Sequence, residues 1–274
     1  MIKIHLHSKF GNQLFQMAYA YIIAKENKQS IIMRPNSRAG YCLQIINPPV
    51  FLNFLPEKYM LLVNKILFKL LKHEDILIEY SCLNKNYFPK KNTNLLIEGY
   101  FQDGVFFTPY EAVLKKKFSI RRKFKNQFNL KYSQYLCDTI LLIHLRLTDY
   151  KSVHFDEINA SPLLTVNWYM QVLKLIDVNS FKNLIVISDD IVEAKEILKE
   201  LPYDFIFIND VMENDFQFLI NADCLVIPNS SFAWWGAFLN NKPNKKVYAP
   251  KNWAGYNAGI EYPTGIMIEN FIWV

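Results

Sequence analysis

Three polar side chains that can contact a ligand lie at the end of one apolar segment. Residues 139–150 read T-I-L-L-I-H-L-R-L-T-D-Y, and the five apolar residues between 140 and 145 are interrupted only by His144. This pattern is typical of a strand that is buried on both faces of a parallel sheet. Because ligands collect outside the carboxyl ends of such strands, the sequence predicts that His144, Arg146 and Asp149 lie at the rim of a cleft, where Arg146 can bind an anion. The alternative is an ordinary strand whose Arg146 and Asp149 form a solvated ion pair.

Two further polar clusters follow apolar segments in the same half of the chain. Ser188, Asp189 and Asp190 come directly after the apolar residues 184–187, and Asn229, Ser230 and Ser231 come after 224–227. The amides and hydroxyls of the second cluster are suited to phosphate oxygens, because the N–H groups at a helix N-terminus have no helical partner. Each cluster taken alone is also explained as a helix N-cap. Three clusters on successive strand ends nevertheless favour a ligand site.

Another anion site is predicted near the start of the chain. A strand at residues 2–6 is followed by a turn that ends at Gly11 and by a helical pattern from Asn12 to Glu26. The first amides of a helix that follows a strand and a tight turn are a ready place for an anion. Gly11, Asn12 and Gln13 are therefore candidate binding residues. The alternative is that Gly11 serves only the turn.

Strand and helix signals alternate along the chain. In the first half, strands are predicted at 2–6, 31–33 and 95–98, and helices at 12–26, 58–72 and 107–125; a polar stretch at 126–134 is predicted to link the halves. In the second half, strands at 139–145, 184–187, 205–208, 224–227 and 246–248 alternate with helices at 164–176, 191–200, 213–221 and 232–239. This alternation indicates parallel, doubly wound sheets. We therefore predict an α/β fold with two Rossmann-like domains, 1–136 and 137–274, and a cleft between them.

The composition is that of a globular protein with a mild basic charge. The chain has 274 residues, of which 51% are hydrophobic, with a net charge of +6 and a pI of about 8.9. These values suit an anionic ligand or a membrane surface. They disfavour nucleic acid as a partner, because the basic residues are not interleaved with exposed aromatic residues. The four cysteines form no C-x-x-C pair and are predicted to be reduced, mostly buried thiols of a cytoplasmic protein.

Two basic segments are candidates for membrane contact. The N-terminus lacks the layout of a signal peptide, and no apolar run is long enough to span a bilayer. Residues 58–72 are apolar but interrupted by Lys65 and Lys69, so this helix either faces the core or lies on a membrane surface. The basic cluster at 115–125 is predicted to be a solvated helix face, with anionic lipid or substrate as the alternative partner.

Several segments together resemble the bacterial α-1,2-fucosyltransferases of glycosyltransferase family 11. The first family motif, H-x-R-R-x-D-Y, corresponds to H-L-R-L-T-D-Y at 144–150. The second and third motifs correspond to I-S-D-D at 187–190 and N-S-S-F-A-W-W-G-A-F-L-N at 229–240. The segments G-N-Q-L-F-Q-M-A at 11–18 and G-Y-F-Q at 99–102 also match, so the resemblance covers nearly the whole chain in the family's order.

The chain departs from the family pattern at two places. The second arginine of the first motif is Leu147, which leaves the binding of the anion to Arg146. The glycines that usually precede G-N-Q are replaced by Ser8, Lys9 and Phe10. That loop is expected on the acceptor side, so the departure bears on the choice of acceptor.

The resemblance implies an enzyme with a GT-B fold that transfers fucose from GDP-fucose. The transfer would invert the configuration at the anomeric carbon and would need no metal ion or other cofactor. The C-terminal domain would hold GDP-fucose, and the N-terminal domain would face the acceptor. Arg146 would stabilise the charge on the departing β-phosphate, helped by Ser230 and Ser231. Asp189 or Asp190 would accept hydrogen bonds from guanine. His144 would position the nucleotide.

The acceptor side is less defined by the resemblance. Asp149 would orient Arg146 or bind a sugar hydroxyl, and either Asp149 or Asp103 is a candidate general base. The implied acceptor is a galactose-terminated oligosaccharide or a lipid-linked glycan, reached at the inner face of the membrane. Two alternatives remain open, namely a fucosyltransferase of other linkage or acceptor and a nucleotide-sugar-binding protein without catalysis.

Overall fold

The computed structural model describes residues 1–35, 45–46, 49–50, 57–72, 74–77 and 95–274 of the chain. These residues form two compact units, Met1–Arg121 and Arg122–Val274. Each unit contains a parallel sheet with helices, so the predicted α/β class with two Rossmann-like, GT-B-type units is confirmed. The predicted cleft between the two halves stays a prediction.

The described part of the first unit contains a four-stranded parallel sheet in the order β2-β1-β4-β3. Its strands are β1 (Ile2–Leu6), β2 (Ile31–Pro35), β3 (Glu74–Leu77) and β4 (Leu95–Glu98), and its helices are α1 (Phe10–Glu26), α2 (Glu57–Leu70), α3 (Gly104–Phe107) and α4 (Glu111–Lys117). β1 is a central strand whose Ile2, Ile4 and Leu6 are fully buried. Strand β3 has no counterpart in the sequence prediction, and the region predicted as one helix at 107–125 is divided into shorter ones.

The second unit contains a six-stranded parallel sheet in the order β10-β9-β8-β5-β6-β7. Its strands are β5 (Ile140–Leu145), β6 (Asn183–Ser188), β7 (Ile206–Ile208), β8 (Cys224–Val226), β9 (Lys246–Ala249) and β10 (Ile272–Trp273). Its helices are α5 (Arg122–Leu136), α6 (Val166–Lys174), α7 (Ile191–Leu198), α8 (Met212–Asn221) and α9 (Ser231–Leu239). When the strands of this unit are numbered from 1 to 6 along the chain, their order in the sheet is the Rossmann order 3-2-1-4-5-6. Strands are added toward one edge after β5 and toward the other edge from β8 onward, so the switch point lies between β5 and β8. A ligand crevice is expected at the carboxyl ends of those two strands.

The core of the second unit is built around β5 and α9. All six residues of β5 are buried, because helices cover both faces of the sheet. Leu141, Ile143 and Leu145 belong to one apolar cluster with Trp168 and other side chains. On α9, Trp234 and Trp235 are also fully buried, which identifies this aromatic pair as core.

Helix α5 replaces the polar link that was predicted at 126–134. Phe128 and Tyr132, four residues apart, are both buried, and the Phe128 ring lies 4.9 Å from that of Phe218 on α8. Tyr132 and Lys131 also donate hydrogen bonds to Asp210. The linker prediction is wrong because two aromatic residues suffice to dock an otherwise polar helix. For the same reason α5 groups with the second unit, whereas the predicted boundary lay at residue 136.

The two described cysteines differ in exposure. Cys224 is buried in β8, and burial raises the pKa of its thiol to about 12. Cys137 is exposed just after α5, so the expectation that it is buried is wrong. Cys42 and Cys82 lie outside the described residues.

Candidate active site

The ends of β5 and β8 adjoin at the point where the strand order reverses. The Tyr150 hydroxyl, just beyond β5, donates a hydrogen bond of 2.8 Å to the carbonyl of Asn229, just beyond β8. The His144 ring lies edge-on to the Phe232 ring in the first turn of α9, with 5.8 Å between ring centroids. The first and third polar clusters predicted from the sequence are therefore brought together.

Arg146 is held by two carboxylates. Its Nη2 donates to Asp149 Oδ2 at 2.8 Å, and its Nη1 lies 3.1 Å from Asp189 Oδ2. Burial works against the charge, but the hydrogen bond that Arg146 donates to Asp149 and the charge of Asp189 raise the pKa of Arg146 above its ordinary value. A guanidinium has five N–H donors, so Arg146 keeps further donors for a ligand after it has bound the two carboxylates. Arg146 and Asp149 do form the ion pair of the alternative interpretation, but it is not a solvated pair on the arginine side, since only 19% of the Arg146 side chain is exposed.

Asp189 connects the second predicted cluster to the first. Its Oδ1 accepts from the Leu147 amide at 2.8 Å, and its Oδ2 accepts from the amide and hydroxyl of Thr148. Asp189 thus fixes both the Arg146 side chain and the backbone that follows it. A carboxylate with this many partners in its own chain is a positioning group for the loop after β5.

The other members of the second cluster form a helix cap. Asp190 Oδ1 accepts from the Glu193 amide at 3.0 Å at the start of α7, and Ser188 Oγ accepts from the Asp190 amide at 3.1 Å. These are the bonds of an ordinary N-cap. The roles that the sequence analysis gave to Asp189 and Asp190 in guanine binding stay predictions, and the carboxylates already have the partners described.

The charges around Arg146 are unbalanced. Two cations lie among four acidic side chains, namely Arg146 and Lys151 among Asp149, Asp189, Asp190 and Glu193. The side chains around Arg146 therefore carry a net negative charge, which is unfavourable for a diphosphate. Within this unit, we expect the backbone amides at the N-terminus of α9 to supply the positive potential that offsets this negative charge.

The N-terminus of α9 has the geometry that suits an anion. The first α-helical bond runs from the Trp234 amide to the Ser230 carbonyl at 2.9 Å. The amides of Ser231, Phe232 and Ala233 consequently have no acceptor within the helix. The buried Ser230 occupies the N-cap position but makes no side-chain capping bond. Its hydroxyl and the three amides can together serve oxygen atoms of a ligand.

Two buried polar atoms beside this helix have no hydrogen-bond partner among the described residues, His144 Nδ1 and Asn229 Oδ1. Burial, together with the charge of Arg146, lowers the pKa of His144 to about 3, so its imidazole is neutral at physiological pH. The Asn229 amide is oriented by donating to the Pro162 carbonyl at 2.7 Å. Buried polar groups are rarely left unsatisfied, so these atoms are candidate ligand contacts.

Asp215 is a third such group, and the sequence analysis missed it. It lies in the first turn of α8, where its Oδ1 is buried and has no hydrogen-bond partner in the described part of the chain. Burial, reinforced by the charges of Asp210 and Glu213, raises the pKa of Asp215 to about 8. The next residue, Phe216, packs on Phe232 at 5.2 Å. An acidic residue in a first helical turn normally indicates only a favourable dipole contact, so the sequence carries no distinct signal.

Asparagine at position 215 is expected to make the protein more stable than the wild type at alkaline pH. The folded-state pKa of Asp215, about 8, exceeds its ordinary value of 3.8, so folding takes up a proton between these values. Wild-type stability therefore falls as the pH rises through this window, by at most about 1.4 kcal/mol per unit. Asparagine does not titrate. The difference in melting temperature, Asp215→Asn minus wild type, should increase steadily from pH 5 to pH 8; a constant difference would contradict the assignment.

The predicted residues of the first unit stabilise a turn. Asn12 donates to Ser8 Oγ at 2.8 Å and accepts from Gln102 Nε2 at 2.7 Å, and Gln13 donates to the Ser8 carbonyl at 3.0 Å. Ser8 has a positive φ of 66°, a conformation that glycine adopts more readily. Gly11 lies within α1, which begins at Phe10 and not at Asn12. These contacts hold the β1–α1 turn to the segment after β4, and the nucleotide contact predicted for Gly11, Asn12 and Gln13 stays a prediction.

Asp103, a candidate general base, forms a hydrogen bond to a residue close to it in the sequence. Its Oδ1 accepts from the Phe106 amide at 3.0 Å and so caps α3. In the described residues, no group of three or more histidine, cysteine, aspartate or glutamate side chains is arranged to hold a metal ion. Independence of metal stays a prediction.

Comparison with known proteins gives a family and a fold. The profile of Glycosyl transferase family 11 matches residues 1–259. The O-antigen biosynthesis glycosyltransferase WbnK of Escherichia coli is 25% identical over 291 aligned positions, covering 92% of this chain and 95% of WbnK. An alpha-1,2-colitosyltransferase of Escherichia coli is 32% identical over 123 positions, covering 43% of this chain and 42% of that protein. The crystal structure of the fucosyltransferase NodZ from Bradyrhizobium superposes with a TM-score of 0.54 at 11% identity, covering 87% of this chain and 91% of NodZ.

The Rossmann order of the second sheet, with polar groups and an uncapped helix at its switch point, defines an α/β protein of the GT-B fold class. The chain belongs to Glycosyl transferase family 11. It is therefore a glycosyltransferase, and the resemblance found in the sequence motifs is confirmed.

Proposed function

We propose that this protein is an inverting α-1,2-fucosyltransferase that moves L-fucose from GDP-fucose to the 2-hydroxyl of a galactose-containing glycan in surface polysaccharide biosynthesis. The observation that carries the proposal is the position of Arg146 at the switch point, beside the open N-terminus of α9, in a family 11 chain. NodZ, which shares the fold, has been crystallised with GDP and soaked with GDP-fucose.

The base of the nucleotide is proposed to lie among the three unsatisfied atoms. Guanine presents two neighbouring N–H donors and a carbonyl acceptor on its pairing edge, and a carboxylate accepts from both donors at once. Both oxygens of Asp189 and Oδ1 of Asp190 accept hydrogen bonds within the chain, whereas Asp215 Oδ1 and His144 Nδ1 have no partner among the described residues. We therefore move the base-reading role from Asp189 or Asp190 to Asp215, and the rings of Phe216, next to Asp215, and of His144 both contact Phe232.

The diphosphate is proposed to lie against α9 and Arg146. As the acceptor oxygen bonds to the anomeric carbon, the bond from that carbon to the β-phosphate oxygen breaks, and its electron pair leaves with GDP. The amides of Ser231, Phe232 and Ala233 and the hydroxyl of Ser230 are fixed before the reaction, as is the guanidinium of Arg146. Preorganised donors of this kind stabilise developing charge without reorganisation during the reaction.

The proton of the acceptor hydroxyl is assigned to a carboxylate, with Asp149 and Asp103 as the two proposed bases. Asp149 already neutralises Arg146 and sits directly after β5. Asp103 caps a helix of the other unit. Asparagine at each position separates them, because its amide oxygen still accepts the hydrogen bond from Arg146 or from the Phe106 amide, so only loss of the base abolishes transfer while leaving GDP binding intact.

The acceptor is proposed to be a galactose-terminated oligosaccharide, free or lipid-linked. WbnK is named for O-antigen biosynthesis, which supports a glycan acceptor for its relative. A second candidate function is transfer of a different sugar with the same linkage. It is favoured by one observation, the 32% identity with an alpha-1,2-colitosyltransferase over 43% of the chain.

The test is a transfer assay with GDP-fucose and a panel of β-galactosides, followed by mass spectrometry and by NMR of the product linkage. We expect a fucosylated product linked through the galactose 2-hydroxyl, with the Arg146→Ala protein as the inactive control. Release of fucose to water alone would indicate a wrong acceptor panel. Transfer from another GDP-sugar but never from GDP-fucose would refute the donor assignment, and a different bond in the product would refute the linkage.

A further inference from the structure

Helix α2 is fixed to the first sheet along one face. Met60 and Asn64, four residues apart, are buried, and Asn64 Oδ1 accepts from the Met33 amide of β2 at 3.1 Å. The Asn64 amide group donates back to the Met60 carbonyl at 2.9 Å. The inward face of the helix is therefore defined, and so is the face that points away from the sheet.

A buried cation fixes the end of the same helix. Lys3 of β1 is 1% exposed, and its Nζ donates to the carbonyls of Phe68 and Leu71 at 2.5 and 2.6 Å. A positive charge at this position complements the negative end of the helix dipole. The helix is thus held at its middle and at its C-terminus, and its outward face has a fixed orientation.

The outward face carries a row of large apolar side chains. Tyr59, Leu62, Ile66 and Leu70 are 59%, 54%, 47% and 74% exposed. Their spacing of three and four residues places them side by side along one stripe of the helix. Exposed apolar residues scattered singly need no explanation, but a continuous row of four on one helix does.

A row of lysines borders the apolar row. Lys58, Lys65 and Lys69 of α2 and Lys72 just beyond its end are all exposed, with spacings of seven, four and three residues that place them on one side of the apolar row. Glu57 is the one acidic residue of the helix sequence. A helix of this kind can immerse its apolar row at the level of the acyl chains while the lysine side chains extend to the headgroups. Among the described helices none is long and apolar enough to cross a bilayer, α2 included.

We propose that this face of α2 docks on an anionic phospholipid surface. The lysine row supplies the charge complementarity, because each lysine near an anionic leaflet adds to the attraction. Pairing of two such faces as antiparallel helices, by contrast, would bring the lysine rows of two copies together. The inference concerns the first unit and holds whichever sugar and acceptor the enzyme uses.

The experiment is flotation of the full chain with vesicles of phosphatidylcholine alone and with an equimolar mixture of phosphatidylcholine and phosphatidylglycerol. We expect binding to the mixed vesicles only, weakened by salt. The triple change Leu62→Ser, Ile66→Ser, Leu70→Ser and the quadruple change of the four lysines to glutamine should each weaken binding by about ten-fold or more. The matched control is Leu130→Ser, which removes a leucine that is 87% exposed on α5 and should leave binding unchanged.

Folding of each variant is checked by thermal denaturation and by turnover with a water-soluble acceptor, neither of which should change. The proposal is overturned if the wild type binds neither kind of vesicle, if both α2 variants bind as the wild type does, or if Leu130→Ser weakens binding equally. It is also overturned if the triple change abolishes a concentration-dependent dimer in sedimentation and the wild type ignores vesicles, since the row then joins two copies. Loss of vesicle binding with intact transfer separates this inference from the proposed reaction.

Discussion

Replacing Arg146 by alanine is expected to lower turnover with GDP-fucose by about 100-fold or more, because one preorganised donor to a developing charge is worth about 3 kcal/mol. Lysine should not restore the rate. A lysine ammonium has no planar fork, whereas Arg146 contacts Asp149 and Asp189 through Nη2 and Nη1 and keeps further N–H donors for the proposed phosphate contact. The measurement is single-turnover transfer at saturating donor, together with the melting temperature of each variant.

The matched control for this prediction is Arg122→Ala, which removes an exposed arginine at the start of α5 and should keep the wild-type rate. The Arg146 variants should also be less stable, since Asp149 and Asp189 lose their shared counter-ion. A role confined to structure makes a different prediction. In that case lysine, which keeps the charge, would restore turnover along with stability, and the assignment of Arg146 to the diphosphate would be wrong.

The affinity for GDP is expected to rise with pH between 6 and 8, by up to about ten-fold per unit, and to level off above pH 8. The reason is the carboxyl of Asp215, whose pKa of about 8 keeps it protonated in the free protein. Guanine N–H groups need the ionised carboxylate, so binding must release this proton, and release becomes easier as the pH approaches the pKa. Titration calorimetry in buffers of different ionisation enthalpy measures both the affinity and the proton released.

The control for this prediction is Asp215→Asn. Because phosphate groups themselves titrate near pH 6, the informative quantity is the difference between the two proteins. Asparagine should weaken GDP binding at pH 8, remove the proton release and leave only the shallow profile of the phosphates. Identical pH profiles for both proteins would place the base elsewhere in the crevice. Adenine nucleotides, which lack the paired donors, should bind both proteins weakly.

The sequence was sufficient for the elements whose signal is local. Apolar runs bounded by polar residues predicted β5 and the four strands that follow it in the predicted alternation, since such runs are typical of doubly covered parallel strands. It failed at α5, where the polar residues 126–134 suggested a link. There, Phe128 and Tyr132 decide the outcome by packing on Phe218 of α8, a residue far away along the chain.

The candidate site, like the fold, was predictable from the sequence only in part. The motifs placed Arg146, Asp189 and Ser230 at strand ends, and the structure brings the first two within 3.1 Å of each other. Asp215 was not predictable, because nothing in its neighbours along the chain indicates that its carboxyl is buried without a partner. That property results from the packing of α8 against α9 and β5, and it can be recognised only when the surrounding atoms are in place.

The amino-acid sequence by itself determined the family, the order of the strands and helices from β5 to β9, and the residues that end those strands, because periodicity and motif spacing are written along the chain. Only the tertiary structure decided which of those polar groups are already satisfied by the protein and which stay available to a ligand. The physical reason is that hydrogen-bond satisfaction and desolvation depend on atoms that are distant in sequence. The same holds for α2, whose pattern fits either a core or a surface helix until the neighbouring sheet covers one face and leaves the other exposed.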